Sequence, residues 1–163
     1  MKTLVNRTYT SVVENFKLAL QYSFVLATSF VLIYLAARIA GLYKMTELRF
    51  INYALFYPIG FAAVRAAYKL NGNYVEYFNG LMIGFLTGVL GQFWFAILFF
   101  IYLHFDSSFV YFLSTQMPQP LLYPRLSIFF VMISEGVGMS AILSLTLMQY
   151  FKWRQGRWGI SHG

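Results

Sequence analysis

Glu135 is the one ionisable side chain set deep within an apolar run. It stands nine residues past Leu126, about 13 Å down a helix at a rise of 1.5 Å per residue. A charged group at that depth in a bilayer costs about 3 kcal/mol, so Glu135 is expected to face protein or a watery cavity. Two polar side chains come near its level: Gln92 on the preceding apolar run, and Arg38, which is shallower but carries a long stem. Such a trio could handle a proton or an ion, with the carboxylate as the coupling group. It could equally be structural, with Glu135 hydrogen-bonded to Gln92 or paired with Arg38. A single carboxylate without a second along a path makes a poor relay, so the structural reading is the expectation.

Other chemistry finds little to work with. The chain has no Cys, which removes disulfides, thiolate metal sites and a Cys nucleophile. His104, Asp106 and His162 do not share the spacing of metal ligands on one helix face. Neither a Gly-rich phosphate loop, a nucleophile elbow nor a pair of neighbouring carboxylates is present. No enzyme activity, cofactor or metal is expected.

The element that must position Glu135 and Gln92 is the run Asn79 to His104, which contains no Asp, Glu, Lys or Arg. Its length exceeds the roughly 20 apolar residues that cross a bilayer. Gly80, Gly84 and Gly88 step by four, with Gly91 three further on. At 100° per residue they fall, with Thr87, on one side of a helix. Such a face lets a second helix approach the backbone closely. The opposite side, with Met82, Leu86, Val89, Phe93, Ala96, Ile97 and Phe100, is expected to meet lipid. On the last apolar run Ser127, Ser134, Gly138, Thr146 and Gln149 share the side or flank of Glu135. That side is expected to face the bundle, with Gly138 as a packing position. Ser140 and Ser144 are expected to bond back to carbonyls of their own helix.

Composition points the same way. Apolar residues make up 60% of the chain and charged residues 10%, against about a quarter charged in soluble domains. Four helical spans are read at about 18–42, 50–69, 79–104 and 126–151, in one domain covering residues 1–163. Pro58 is expected to kink the second. Val5, Tyr9, Val12, Val13 and Phe16 recur at helical spacing ahead of the first. They fit an amphipathic helix on the inner surface, or an extension of the span. The surface helix is the expectation. Asn71-Gly72-Asn73 reads as a turn. Asp106-Ser107-Ser108 reads as the cap of a short interfacial helix over Phe109 to Leu113, ahead of Pro118, Pro120 and Pro124.

The basic residues orient this layout. Lys2, Arg7, Lys17, Arg65, Lys69, Lys152, Arg154 and Arg157 fall on the side of the termini, and Lys44, Arg49 and Arg125 on the other. The positive-inside rule then places both termini in the cytoplasm. The net charge of +7 is spent on these helix ends and gives no sign of nucleic-acid binding. The tail KWRQGRW, from Lys152 to Trp158, could also meet anionic headgroups.

The segment Tyr77-Phe78-Asn79-Gly80-x-x-x-Gly84, then Phe95, then Ile101-Tyr102-Leu103-x-x-Asp106, resembles the domain-of-unknown-function 4199 family of small four-span bacterial membrane proteins. The order of elements is similar too, including a second span ending in Arg65-x-x-x-Lys69. The resemblance implies a bacterial inner membrane and transfers no chemistry. The expected protein is therefore an all-α integral membrane protein, N-in and C-in, acting as a non-enzymatic accessory or assembly subunit. Its partners would be the lipid bilayer and either other membrane proteins or its own copies. An oligomeric transporter or channel with Glu135 as coupling carboxylate is the alternative, and a lipid-modifying enzyme comes last.

Overall fold

The computed structural model describes residues 2–42, 48–71, 74–115 and 123–159, with side chains described at 13–42, 51, 53–71, 74–115 and 123–153. These residues form five α-helices and no strand: α1 Lys2–Ile39, α2 Leu48–Leu70, α3 Tyr77–Phe105, α4 Ser107–Thr115 and α5 Pro124–Gly159. The turn expected at Asn71-Gly72-Asn73 lies partly outside the described residues.

The separate surface helix expected at the N-terminus is not present. α1 runs unbroken for 38 residues, and no Gly or Pro interrupts it, so nothing forces a break ahead of the apolar stretch. It stops at Gly41, whose φ of +73° suits a residue without a Cβ. There Leu42 N–H donates to the Ala37 carbonyl (2.8 Å) and Gly41 N–H to that of Arg38 (3.1 Å), a Schellman termination. α2 continues through Pro58. The short helix expected after Asp106 is α4, and α5 begins with Pro124 at its first position, where the missing N–H costs nothing.

α3 is the central element. It packs against α5, α1 and α2, while α1 and α5 do not meet among the described residues. α1 runs parallel to α3. Leu26 lies against Gly91, Phe30 meets Phe95 and Tyr34 meets Phe99, each with ring centroids 5.3 Å apart. α5 runs antiparallel to α3, with Met148, Ser144 and Ser140 over Gly80, Gly84 and Gly88, and Gln92 over Gly136. α2 returns between them: Phe56 touches the Gly88 position, and Phe61 and Tyr68 reach Phe151 towards the other end.

Three apolar clusters fill the bundle. Ala63, Val64, Ala67, Val75, Ile83, Met148 and Phe151 pack at the end of the termini. Leu26, Ala27, Phe30, Phe56 and Phe95 fill the middle. Leu103, Phe109, Val110 and Ile128 close the end that carries α4. Of the side of α3 expected to meet lipid, Met82 and Phe93 are exposed but Ala96 is buried, and Phe100 packs edge-on against Phe129. The face is narrower than expected because α3 has neighbours on three sides.

Three helical segments among the described residues are long and apolar enough to cross a membrane: Val13–Ile39, Tyr77–Phe105 and Pro124–Trp153. α2 is not one of them. The composition and these helices together describe an all-helical protein with the character of a membrane protein.

Candidate functional site

Glu135 and Gln92 lie at neighbouring levels but do not bond to each other. Gly136 is the reason. It leaves a gap on α5 into which the Gln92 stem packs, so close that a Cβ on residue 136 would fall 2.6 Å from the Gln92 Cβ. From there the Gln92 amide Nε2 donates to the Met132 carbonyl at 3.2 Å. Glu135, the residue before Gly136 on α5, is turned towards α2. Its Oε2 accepts from the Tyr53 hydroxyl at 3.3 Å, longer than the usual range for an O–H···O bond. The carboxyl is half-buried.

Arg38 belongs to a different cluster, at the end that carries α4. Its Nη1 lies 2.9 Å from Asp106 Oδ2, and its guanidinium carbon is 5.0 Å from the centre of the Tyr102 ring. The Tyr102 hydroxyl donates to the same carboxylate oxygen at 2.5 Å. The other oxygen accepts the Phe109 N–H at 3.0 Å, which makes Asp106 the N-cap of α4. One carboxylate thus ties together α1, α3 and α4. Arg125 adds α5, donating from Nε to the Leu103 carbonyl at 3.2 Å, where a cation also suits the negative end of α3.

The three polar candidates are therefore held apart. Glu135 joins α5 to α2, Gln92 joins α3 to the backbone of α5, and Arg38 clamps α1 to the mouth of α4. Tyr53 and Gly136 are the partners that spacing alone passed over. Tyr53 sits among the tyrosines at one end of the chain's apolar runs and reads as an interface anchor. Gly136 is adjacent to Glu135, and only the Gln92 stem reveals its use.

The packing glycines divide in the same way. Gly80, Gly84 and Gly88 meet α5, while Gly91 meets Leu26 of α1. Gly138 does not pack: a Cβ there would have nothing within 4 Å, and Ser134, Thr146 and Gln149 are exposed with it. The face of α5 turned to α3 is instead the one with Gly136, Ser140 and Ser144. Exposed serine and threonine hydroxyls need no inward partner, because each donates to its own helix: Ser134 to Phe130 and Thr146 to Ile142, both at 2.9 Å.

What this arrangement can do chemically is limited and specific. A carboxyl and a phenol from two helices can share a proton or hold a small cation, and the Asp106 cluster can lock one end of the bundle. Among the described residues no three His, Asp or Glu side chains converge as metal ligands. No family model matches this chain, no curated protein matches it, and no solved structure matches it.

Proposed function

We propose that this chain is a four-span integral membrane protein acting without catalysis, as an accessory or assembly subunit that packs against another membrane protein or a second copy of itself. The observation that carries this reading is the outward face of α5. Across its 18-residue apolar stretch only 17% is buried, against 39% for α3. On that open face Gly138 leaves backbone uncovered beside exposed Ser134 and Ile142. Inside the bundle, glycine on α3 is used where a helix approaches closely. A glycine with the same freedom on the outside suits the approach of a further helix.

The fourth span is supported by chain direction. α1 and α3 run parallel, so the chain must return through the same thickness between them. α2 is the element available for that return, and its 23 residues measure about 34 Å, enough for a hydrocarbon core of about 30 Å. The charge bias favours cytoplasmic termini, and the resemblance of the sequence to the domain-of-unknown-function 4199 family favours a bacterial inner membrane.

Purification in a gentle detergent followed by native mass spectrometry tests the reading. A second copy or a larger membrane protein should accompany the chain, and Gly138→Leu should release it without lowering the melting temperature. A chain that is solitary, or a partner retained by Gly138→Leu, would overturn it. The Glu135–Tyr53 contact favours a second reading, an oligomeric transporter or channel. Substrate or proton flux into proteoliposomes that disappears with Glu135→Gln would establish that reading instead.

A further inference from the structure

At the end of the bundle that carries the termini, a cleft of about 430 Å³ opens between the segment leading into α3 and the C-terminal part of α5. Tyr74, Val75, Tyr77, Met148, Gln149 and Lys152 line it. Its floor is apolar: Val75 is 3% and Met148 1% exposed. Met148 can lie there because Gly80 has no side chain; a Cβ at residue 80 would fall 2.8 Å from the methionine methyl carbon. The rim is polar and exposed, with two phenols, a primary amide and the Lys152 ammonium.

The polar groups of that rim select for an anion. Lys152 supplies one positive charge and three donors, and Tyr74, Tyr77 and Gln149 supply further hydrogen-bond donors. Tyr77 is also the first residue of α3, whose N-cap Glu76 makes no side-chain capping bond. The Glu76 carboxylate accepts instead from the Asn79 amide at 2.9 Å. This bond holds the Glu76 carboxylate in the first turn of α3, so the charge in the cleft lining is that of Lys152. An inorganic anion would use the rim and leave the Val75–Met148 floor bare. A molecule with an anionic phosphate and an apolar remainder would use both.

We propose that this cleft holds the phosphate of an anionic phospholipid headgroup. Lys152 neutralises the charge, Tyr74, Tyr77 and Gln149 hydrogen-bond the phosphate oxygens, and the first carbons of an acyl chain rest on Val75 and Met148. The position fits, since the ends of spanning helices lie at headgroup level, and exposed Trp153 follows directly. A zwitterionic headgroup would bring its own cation against Lys152 and bind less well.

The full chain in detergent, titrated with phosphatidylglycerol or phosphatidylcholine and read by native mass spectrometry, tests this. Phosphatidylglycerol should bind in preference. Lys152→Gln should weaken it about fivefold, the worth of one lysine near a charged lipid surface. Lys152→Arg should retain binding, and Tyr77→Phe should weaken it without changing the melting temperature. Lys69→Gln removes a charge near the same end but outside the cleft, and should change binding less than about twofold. Equal binding of the two lipids, an unchanged affinity in Lys152→Gln, or an equal loss in Lys69→Gln would each overturn the proposal. Inorganic phosphate should not displace the lipid. If it did so in the parent chain but not in Lys152→Gln, free phosphate rather than a lipid would be the ligand.

Discussion

At the scale of single residues, polar contacts join the helices at named points. A long bond joins Tyr53 of α2 to Glu135 of α5, and hydrogen bonds between membrane helices are worth about 0.6 kcal/mol on average. Tyr53→Phe should therefore lower stability by about that amount in a detergent melt. Glu135→Gln should keep this bond, because its amide oxygen still accepts from the phenol, and so lose no more than Tyr53→Phe. A Glu135→Gln variant that melted well below Tyr53→Phe would show that the charge itself is structural. Asp106 carries more. Asp106→Ala removes the cap of α4, about 1 kcal/mol by itself, and also the acceptor of Tyr102 and Arg38. Arg38 is 42% exposed, and a pair so open to solvent adds 1 kcal/mol or less. Arg38→Gln should thus cost less than Asp106→Ala when the two are melted side by side. Glu135 could be singled out from sequence because its depth is a property of one helix. Its partner could not, because Tyr53 lies on another helix whose rotation no spacing on α5 fixes.

At the scale of helices, size rather than polarity chooses the packing face. The four-residue step of Gly80, Gly84 and Gly88 was readable because a repeated gap on one side of an apolar helix has a steric consequence. The face of α5 was misread for a related reason. Ser134, Gly138 and Thr146 mark a polar side, but serine and threonine satisfy themselves on their own backbone, so polarity does not draw that side inward. Gly136, Ser140 and Ser144, spaced by four, are the counterpart of the α3 glycines. Substitutions separate the two faces. A Cβ at Gly88 would meet the Ser140 Cβ at 2.8 Å and Phe56 at 3.0 Å, so Gly88→Ala should destabilise by about 1–3 kcal/mol through overpacking. Gly138→Ala meets open space and should stabilise by up to about 1 kcal/mol through helix propensity. Leu86→Ala, at a half-buried site, should fall between them. A melt in which Gly138→Ala lost as much as Gly88→Ala would reverse the assignment of faces.

At the scale of the whole molecule, the question is how many times the chain crosses the bilayer. By apolarity alone the described residues offer three crossings, which would leave the termini on opposite sides. Chain direction argues for four. α1 and α3 point the same way, as Leu26 with Gly91, Phe30 with Phe95 and Arg38 with Asp106 show at successive levels. α2 touches both α1 and α5 along the return. Arg65 and Lys69 are exposed near its end, where long stems can carry charges to the headgroups. The middle of the helix places Phe56, Ala63 and Val64 in the core. The chain contains no Cys, so single cysteines can report the topology directly in intact cells. With both termini inside, a cysteine at Ser108, exposed in α4, should react with an impermeant thiol reagent added outside. One at Gly156, in the last part of α5, should react only after the membrane is opened. A three-crossing chain would still leave Ser108 and Gly156 on opposite sides, so a third cysteine, at Lys2, decides the count. Four crossings shield it together with Gly156, whereas three expose it together with Ser108. Labelling of Lys2→Cys from outside, with Gly156→Cys protected, would remove α2 from the membrane and the four-span arrangement with it.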